Sequence, residues 1–208
     1  MKKSKVLVMT LCAVLLVATT VLGTMAYLTS EASVVNTFTV GKVEITLDEA
    51  KVNPDGTPVT PAARTDAGNV YHLIPGKTYP KDPIIHVDAA SEDCYLFVKV
   101  ENGIADYEAA AASGTIAQQI TSPTNGWTAL TGVDNVYYQS YTKNQADKDY
   151  EVFTEFKVDG NANNVTGWDT IATNAKITVT GYAVQKDGFD TAAAAWPATF
   201  GAPATPNP

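Results

Sequence analysis

The side chains able to do chemistry are few, and their spacing suits little of it. Two histidines occur in 208 residues, His72 and His86. Neither falls in H-E-x-x-H, where two imidazoles one helical turn apart grip zinc, nor in any other spaced ligand set. His72 flanks Leu73-Ile74, and His86 lies inside Ile84-Ile85-His86-Val87. Each reads more readily as a strand residue showing its polar face than as a ligand, and an approach of the two in a folded sheet stays open. The sequence has no G-x-S-x-G elbow, no phosphate-cradling glycine loop and no cysteine–histidine pair in a supporting context. No cofactor, metal ligand or catalytic residue is nominated. Carboxylates are plentiful but unpatterned, which reads as solvated surface rather than an acid/base pair.

Two further groups merit a chemical test. Asp159-Gly160-Asn161-Ala162-Asn163 alternates oxygen-bearing side chains as a calcium loop does, yet its sixth position is Asn164 and its twelfth Thr170. Calcium loops need glycine and glutamate there, so the stretch reads as an Asx-rich turn. Cys94 opens the apolar run Cys94-Tyr95-Leu96-Phe97-Val98, the setting of a buried, inert thiol. An intermolecular disulfide is the sharper alternative.

The elements that must carry these residues are mostly strands. Phe38 and Val40 alternate with polar neighbours, and Val43, Ile45 and Leu47 continue on the opposite parity. The switch at Gly41-Lys42 implies a bulge or bend. Asn53 to Asn69 reads as a loop, and Pro75-Gly76 closes the apolar run Tyr71 to Ile74 with a turn. Strands are expected at Ile84 to Val87, Tyr95 to Glu101, Gly126-Trp127, Asn135 to Tyr141, Tyr150 to Val158 and Lys176 to Val184. Residues 104–120 are alanine-rich with apolar residues near helical spacing, so two short helices split by Gly114 are expected. Thr170 to Asn174 and Asp190 to Trp196 read as further short helices. The fold class that follows is all-β, an antiparallel β-sandwich with short helical insertions.

The N-terminus reads as a secretory signal over residues 1–26. Lys2, Lys3 and Lys5 precede the uncharged apolar run Val6 to Leu22, and Gly23-Thr24-Met25-Ala26 supplies small residues for cleavage between Ala26 and Tyr27. A retained helix is the alternative, since the run approaches the roughly 18–20 residues that span a bilayer. Cleavage removes three lysines and no acid, shifting the formal charge from −8 to −11. Such acidity argues against nucleic acid and anionic membrane as partners. It also removes Cys12, leaving Cys94 with no intramolecular partner. Residues 27–200 form one domain, followed by the proline-rich tail 201–208, expected to be disordered.

Gly23-Thr24-Met25-Ala26-Tyr27-Leu28-Thr29 followed by Asn36-Thr37-Phe38-Thr39-Val40-Gly41 resembles the export and first-strand signature of the TasA/camelysin family. Leu73-Ile74-Pro75-Gly76, Lys81-Asp82-Pro83, Tyr95 to Asn102 and Ile177-Thr178-Val179-Thr180 fit in the same order. Residues 104–150 are less diagnostic and look like the insertion of a clostridial-type branch. The resemblance implies a jelly-roll-like sandwich, exported from a Gram-positive cell by a SipW-type signal peptidase and membrane-associated only as precursor. It further implies assembly into biofilm matrix fibres with itself, and with other matrix proteins as possible partners, by donor-strand complementation.

The residues themselves supply a physical route to that assembly. Cleavage frees Tyr27 to Val35, whose apolar members Tyr27, Leu28, Ala32, Val34 and Val35 can enter a neighbour's groove while the backbone satisfies an unpaired sheet edge. Pairing within its own sandwich, or no pairing, is the plainer alternative. Camelysin-named relatives imply a surface metalloprotease as a rival function. A glycan- or surface-binding module using Trp127, Tyr137, Tyr138 and Trp168 is a third, to be separated by the exposure of those rings.

Overall fold

Five consecutive buried residues, Cys94 to Val98, break the alternation expected of a strand with one wet face. The computed structural model that shows this describes residues 42–146, 148–168 and 175–200. The expected signal segment, the Ala26/Tyr27 cleavage point, the donor residues Tyr27 to Val35, the strand at Phe38 and Val40, the helix at Thr170 to Asn174 and the tail 201–208 all lie outside the described residues.

In chain order the strands are β1 (Ile45–Ala50), β2 (Arg64–Thr65), β3 (Thr78–Pro80), β4 (Ile84–Val87), β5 (Cys94–Asn102), β6 (Glu108–Ala109), β7 (Thr128–Ala129), β8 (Val136–Tyr141), β9 (Asp149–Glu151), β10 (Glu155–Val158) and β11 (Ile177–Gln185). The helices are α1 (Ile116–Ile120) and α2 (Ala192–Phe200), with single 3-10 turns at Ala105–Tyr107 and Ala162–Asn164. All pairings are antiparallel, in the sheet orders β2-β1-β4-β9, β3-β10-β6 and β11-β5-β8-β7. Between the first two sheets the chain stays paired: Val152 N–H donates to the Pro83 carbonyl and Lys81 N–H to the Thr154 carbonyl, both at 2.9 Å. The expected all-β antiparallel sandwich with short helical insertions is the fold the chain adopts.

Strand β5 explains the doubly apolar run. Its Cys94, Leu96, Val98 and Val100 enter the core between the sheets, with Ile85, Val87, Tyr141, Val152 and Phe156. Tyr95 and Phe97, on the other parity, join a second cluster with Val136, Val184 and Trp196. Helix α2 covers that outer face, so β5 is buried on both sides and needs no polar parity. The Phe97 and Trp196 rings lie 5.2 Å apart. Thr191 starts α2 by accepting the Ala194 N–H on its hydroxyl at 3.2 Å.

Four local expectations are corrected. Asn53 to Asn69 is not all loop: Arg64–Thr65 pairs with β1, and Val52 bridges to Pro58. Arg64 is the anchor, its guanidinium donating to Asp48 at 2.6 Å and Asp82 at 2.8 Å. The alanine-rich 104–113 forms a 3-10 turn and β6 rather than a helix, because sheet pairing with β10 outweighs alanine's preference. Gly114, at φ +98°, does separate it from a true helix, α1. The expected Tyr150 to Val158 strand breaks at Val152–Thr154, which lets the neighbours Val152 and Phe153 both be buried. The strand expected at Gly126-Trp127 begins instead at Thr128, after Gly126 adopts φ +81°.

Candidate functional site

The two sheets of the sandwich are pinched at the middle of β11 and open toward its Ile177 end. At the pinch, a Cβ on Gly181 would lie 3.2 Å from Ile85 Cδ1, a tight contact, and 3.5 Å from Ile45 Cδ1, so any side chain there would press on Ile85. Toward Ile177 the sheets leave a groove of about 870 Å³. One sheet contributes Leu47, Asp48 and Glu49 of β1 to its lining, and the other contributes Ile177, Thr178 and Val179 of β11. Buried Ile104 and Phe156 also line it, along with half-buried Tyr71 and Leu73.

Among the described residues β11 presents a free edge here, and β1 presents one as far as Asp48, beyond which β2 pairs with Glu49 and Ala50. Among the described residues β11 pairs along all nine residues with β5 alone. Likewise β1 pairs over Ile45–Asp48 with β4 alone. Among the described residues the outer N–H and C=O groups of these stretches meet no further strand, and they lie beside inward apolar side chains.

The groove also carries a buried ion pair. Lys81 is 8% exposed and Glu49 3%, and the ammonium donates directly to the carboxylate. Asn69 steadies the acid, donating to Glu49 Oε1 at 2.9 Å and to the Ala50 carbonyl at 2.8 Å while accepting the Val52 N–H. Nearby, Tyr71 donates to the Pro80 carbonyl at 2.8 Å and packs edge-on to Phe156. Burial raises the Tyr71 phenol well above its ordinary pKa.

On the outer face of the first sheet His86 of β4 is held by Asp48 of β1 and Asp149 of β9. Nε2 lies 3.0 Å from Asp48 Oδ1, and Nδ1 lies 2.7 Å from Asp149 Oδ1. Burial disfavours the imidazolium, but the two aspartates prevail and its pKa is raised. Burial likewise works against the Asp48 anion, yet His86 and Arg64 hold its pKa below the ordinary value. Sequence spacing could not find this clasp, whose members come from three strands. Both ring nitrogens are engaged by carboxylates. His72 is exposed at the groove rim.

The remaining candidates fall into place individually. Among the described residues no group of three His, Cys, Asp or Glu side chains could hold a metal ion. Asp159 Oδ1 accepts the Asn161 N–H at 2.8 Å, an Asx turn leading into the 3-10 turn at Ala162. Cys94 is fully buried, and burial pushes its thiol pKa up to about 11. The four aromatic rings do not gather into one binding face. Trp127 is 3% exposed and donates to the Glu151 carbonyl at 2.7 Å. Half-buried Trp168 packs on Tyr107, while Tyr137 and Tyr138 pack against opposite clusters.

These features define an all-β antiparallel sandwich with a groove between β1 and β11. No family model, curated protein or solved structure matches the chain.

Proposed function

We propose that this is a secreted structural protein of the cell surface or extracellular matrix that assembles with itself. The N-terminal segment of one copy, Tyr27 to Val35, lies in the β1/β11 groove of the next. The groove beside the β11 edge and the Ile45–Asp48 edge of β1, both without a further strand among the described residues, is the observation that carries this reading. Its occupant is a second copy because of where the chain departs. Lys42 is tied to the β4–β5 turn, its carbonyl accepting the Glu92 N–H at 3.0 Å, at the end of β1 away from the groove. A segment donated from that end would reach a neighbour's groove, and a head-to-tail contact of this kind does not close on itself, so it propagates as a filament.

Filaments in negative-stain electron microscopy of residues 27–208, at neutral and mildly acidic pH, are the expected result. Deleting 27–35 leaves a folded monomer that binds a peptide of residues 27–40. Val179→Lys, which puts a charge into the groove, blocks both assembly and peptide binding. Persistent monomers of 27–208 that refuse the peptide place the segment in its own groove and overturn the assembly reading.

A further inference from the structure

The far side of the sandwich has an edge of its own, along β9, the break at Val152–Thr154, and β10. Among the described residues only Lys157 and Val158 of this edge meet another strand on that side, β6. The preceding residues would offer a neighbour the same unpaired groups that β11 offers, yet they are satisfied by side chains from residues 119–127.

Gln119 does the most. Its Oε1 accepts the Thr154 N–H at 3.0 Å and the Glu155 N–H at 3.3 Å, and its Nε2 donates to the Glu155 carbonyl at 2.8 Å. Accepting from and donating to the main chain of one residue is what a peptide group of an antiparallel neighbour does. On its other side Glu155 is in register with Pro80 of β3. Farther along, Asn125 Nδ2 donates to the Val152 carbonyl at 2.7 Å and Trp127 Nε1 to the Glu151 carbonyl at 2.7 Å.

The segment is built to hold these groups in place. Thr115 and Gln118 form a reciprocal capping box at the start of α1. The Glu108 carboxylate joins the Ile116 N–H, at 2.6 Å, to the Asn102 side chain, at 2.9 Å. Gln119 itself is 5% exposed, and a buried amide left partly unsatisfied would be costly, which fixes its orientation.

We infer that the segment Thr115–Trp127 is an edge guard. It occupies a second strand-accepting surface, the β9–β10 edge, whose partner would be an extended strand of another copy of this chain. Sealing that edge removes one route by which association would spread laterally into sheets and favours the β1/β11 groove. The inference rests on the strand-addition reading for its partner, but its own observation is the side-chain seal.

The test uses residues 27–208 carrying Val179→Lys, which closes the groove route, with and without Gln119→Leu. Gln119→Leu keeps similar bulk and removes every amide contact. The expected result is a folded double variant that associates laterally, binds an amyloid-type dye and loses hydrogen-exchange protection at Thr154 and Glu155 by at least about tenfold. Gln119→Glu keeps the acceptor and loses the donor, and should give the same change in weaker form. If Gln119→Leu fails to fold, the Gln119→Glu variant decides. A folded, monomeric variant with fast-exchanging Thr154 and Glu155 amides overturns the guard. Assembly of the Val179→Lys chain with Gln119 intact instead counts against the groove, leaving the guard to be judged on the exchange rates.

Discussion

Gly181 of β11 and Ile85 of β4 meet across the sandwich so closely that a methyl group on the glycine would stand 3.2 Å from Ile85 Cδ1. Gly181→Val should therefore force the sheets apart or drive Ile85 off its rotamer. The expected loss is about 1–3 kcal/mol, as for other overpacked cores, read from urea unfolding. An unchanged midpoint would show that the pinch is not a tight contact.

The Lys81–Glu49 pair predicts an asymmetry between single and double changes. Lys81→Met alone strands a buried carboxylate and should cost about 3–5 kcal/mol. Replacing both partners, with Lys81→Met and Glu49→Leu together, should recover most of that loss in thermal melts. Equal loss in single and double variants would mean that the pair itself supplies the stability.

His86 makes stability depend on pH in a stated direction. Its pKa is raised on folding, so its contribution is full below the ordinary value near 6.5 and fades as pH climbs through the folded value. Asp48 has the opposite sense: its pKa is lowered, and its contribution fades as pH falls through the folded value. The clasp is strongest between the two, in mild acid. Wild type should exceed His86→Gln by about 1 kcal/mol near pH 6, a figure held down by solvent screening at these partly exposed groups, and the gap should narrow toward pH 8. A gap that widens with rising pH would contradict the clasp.

Cys94 should resist thiol reagents in the native protein and react fully once unfolded, since it is buried and its pKa is raised to about 11. A disulfide-linked dimer on a non-reducing gel, formed without denaturant, would revive the intermolecular alternative.

How far the sequence speaks can be judged residue by residue. Ile84–Val87 matches its expected strand end for end, and β5 and β11 match within a residue or two. Their short runs rich in β-branched and aromatic residues favour strands, and period-two parity sorts the side chains onto two faces. Pro75-Gly76 is likewise legible, because Gly76 adopts the positive φ that its turn demands.

The candidate site was not legible in this way. Nothing local in Gln119 announces that its amide will replace a strand against Glu155, 36 residues away. Nor does spacing reveal that Asp48 and Asp149 will close on His86 from either side, or that Lys81 will bury its charge on Glu49. Sequence alone determined the β class, the main strands and their inward faces, because those follow from backbone geometry and burial over a few residues. The tertiary structure decided which edges stay open, which are sealed and which charges meet, because each depends on chain segments that approach only when the sheets pair and stack.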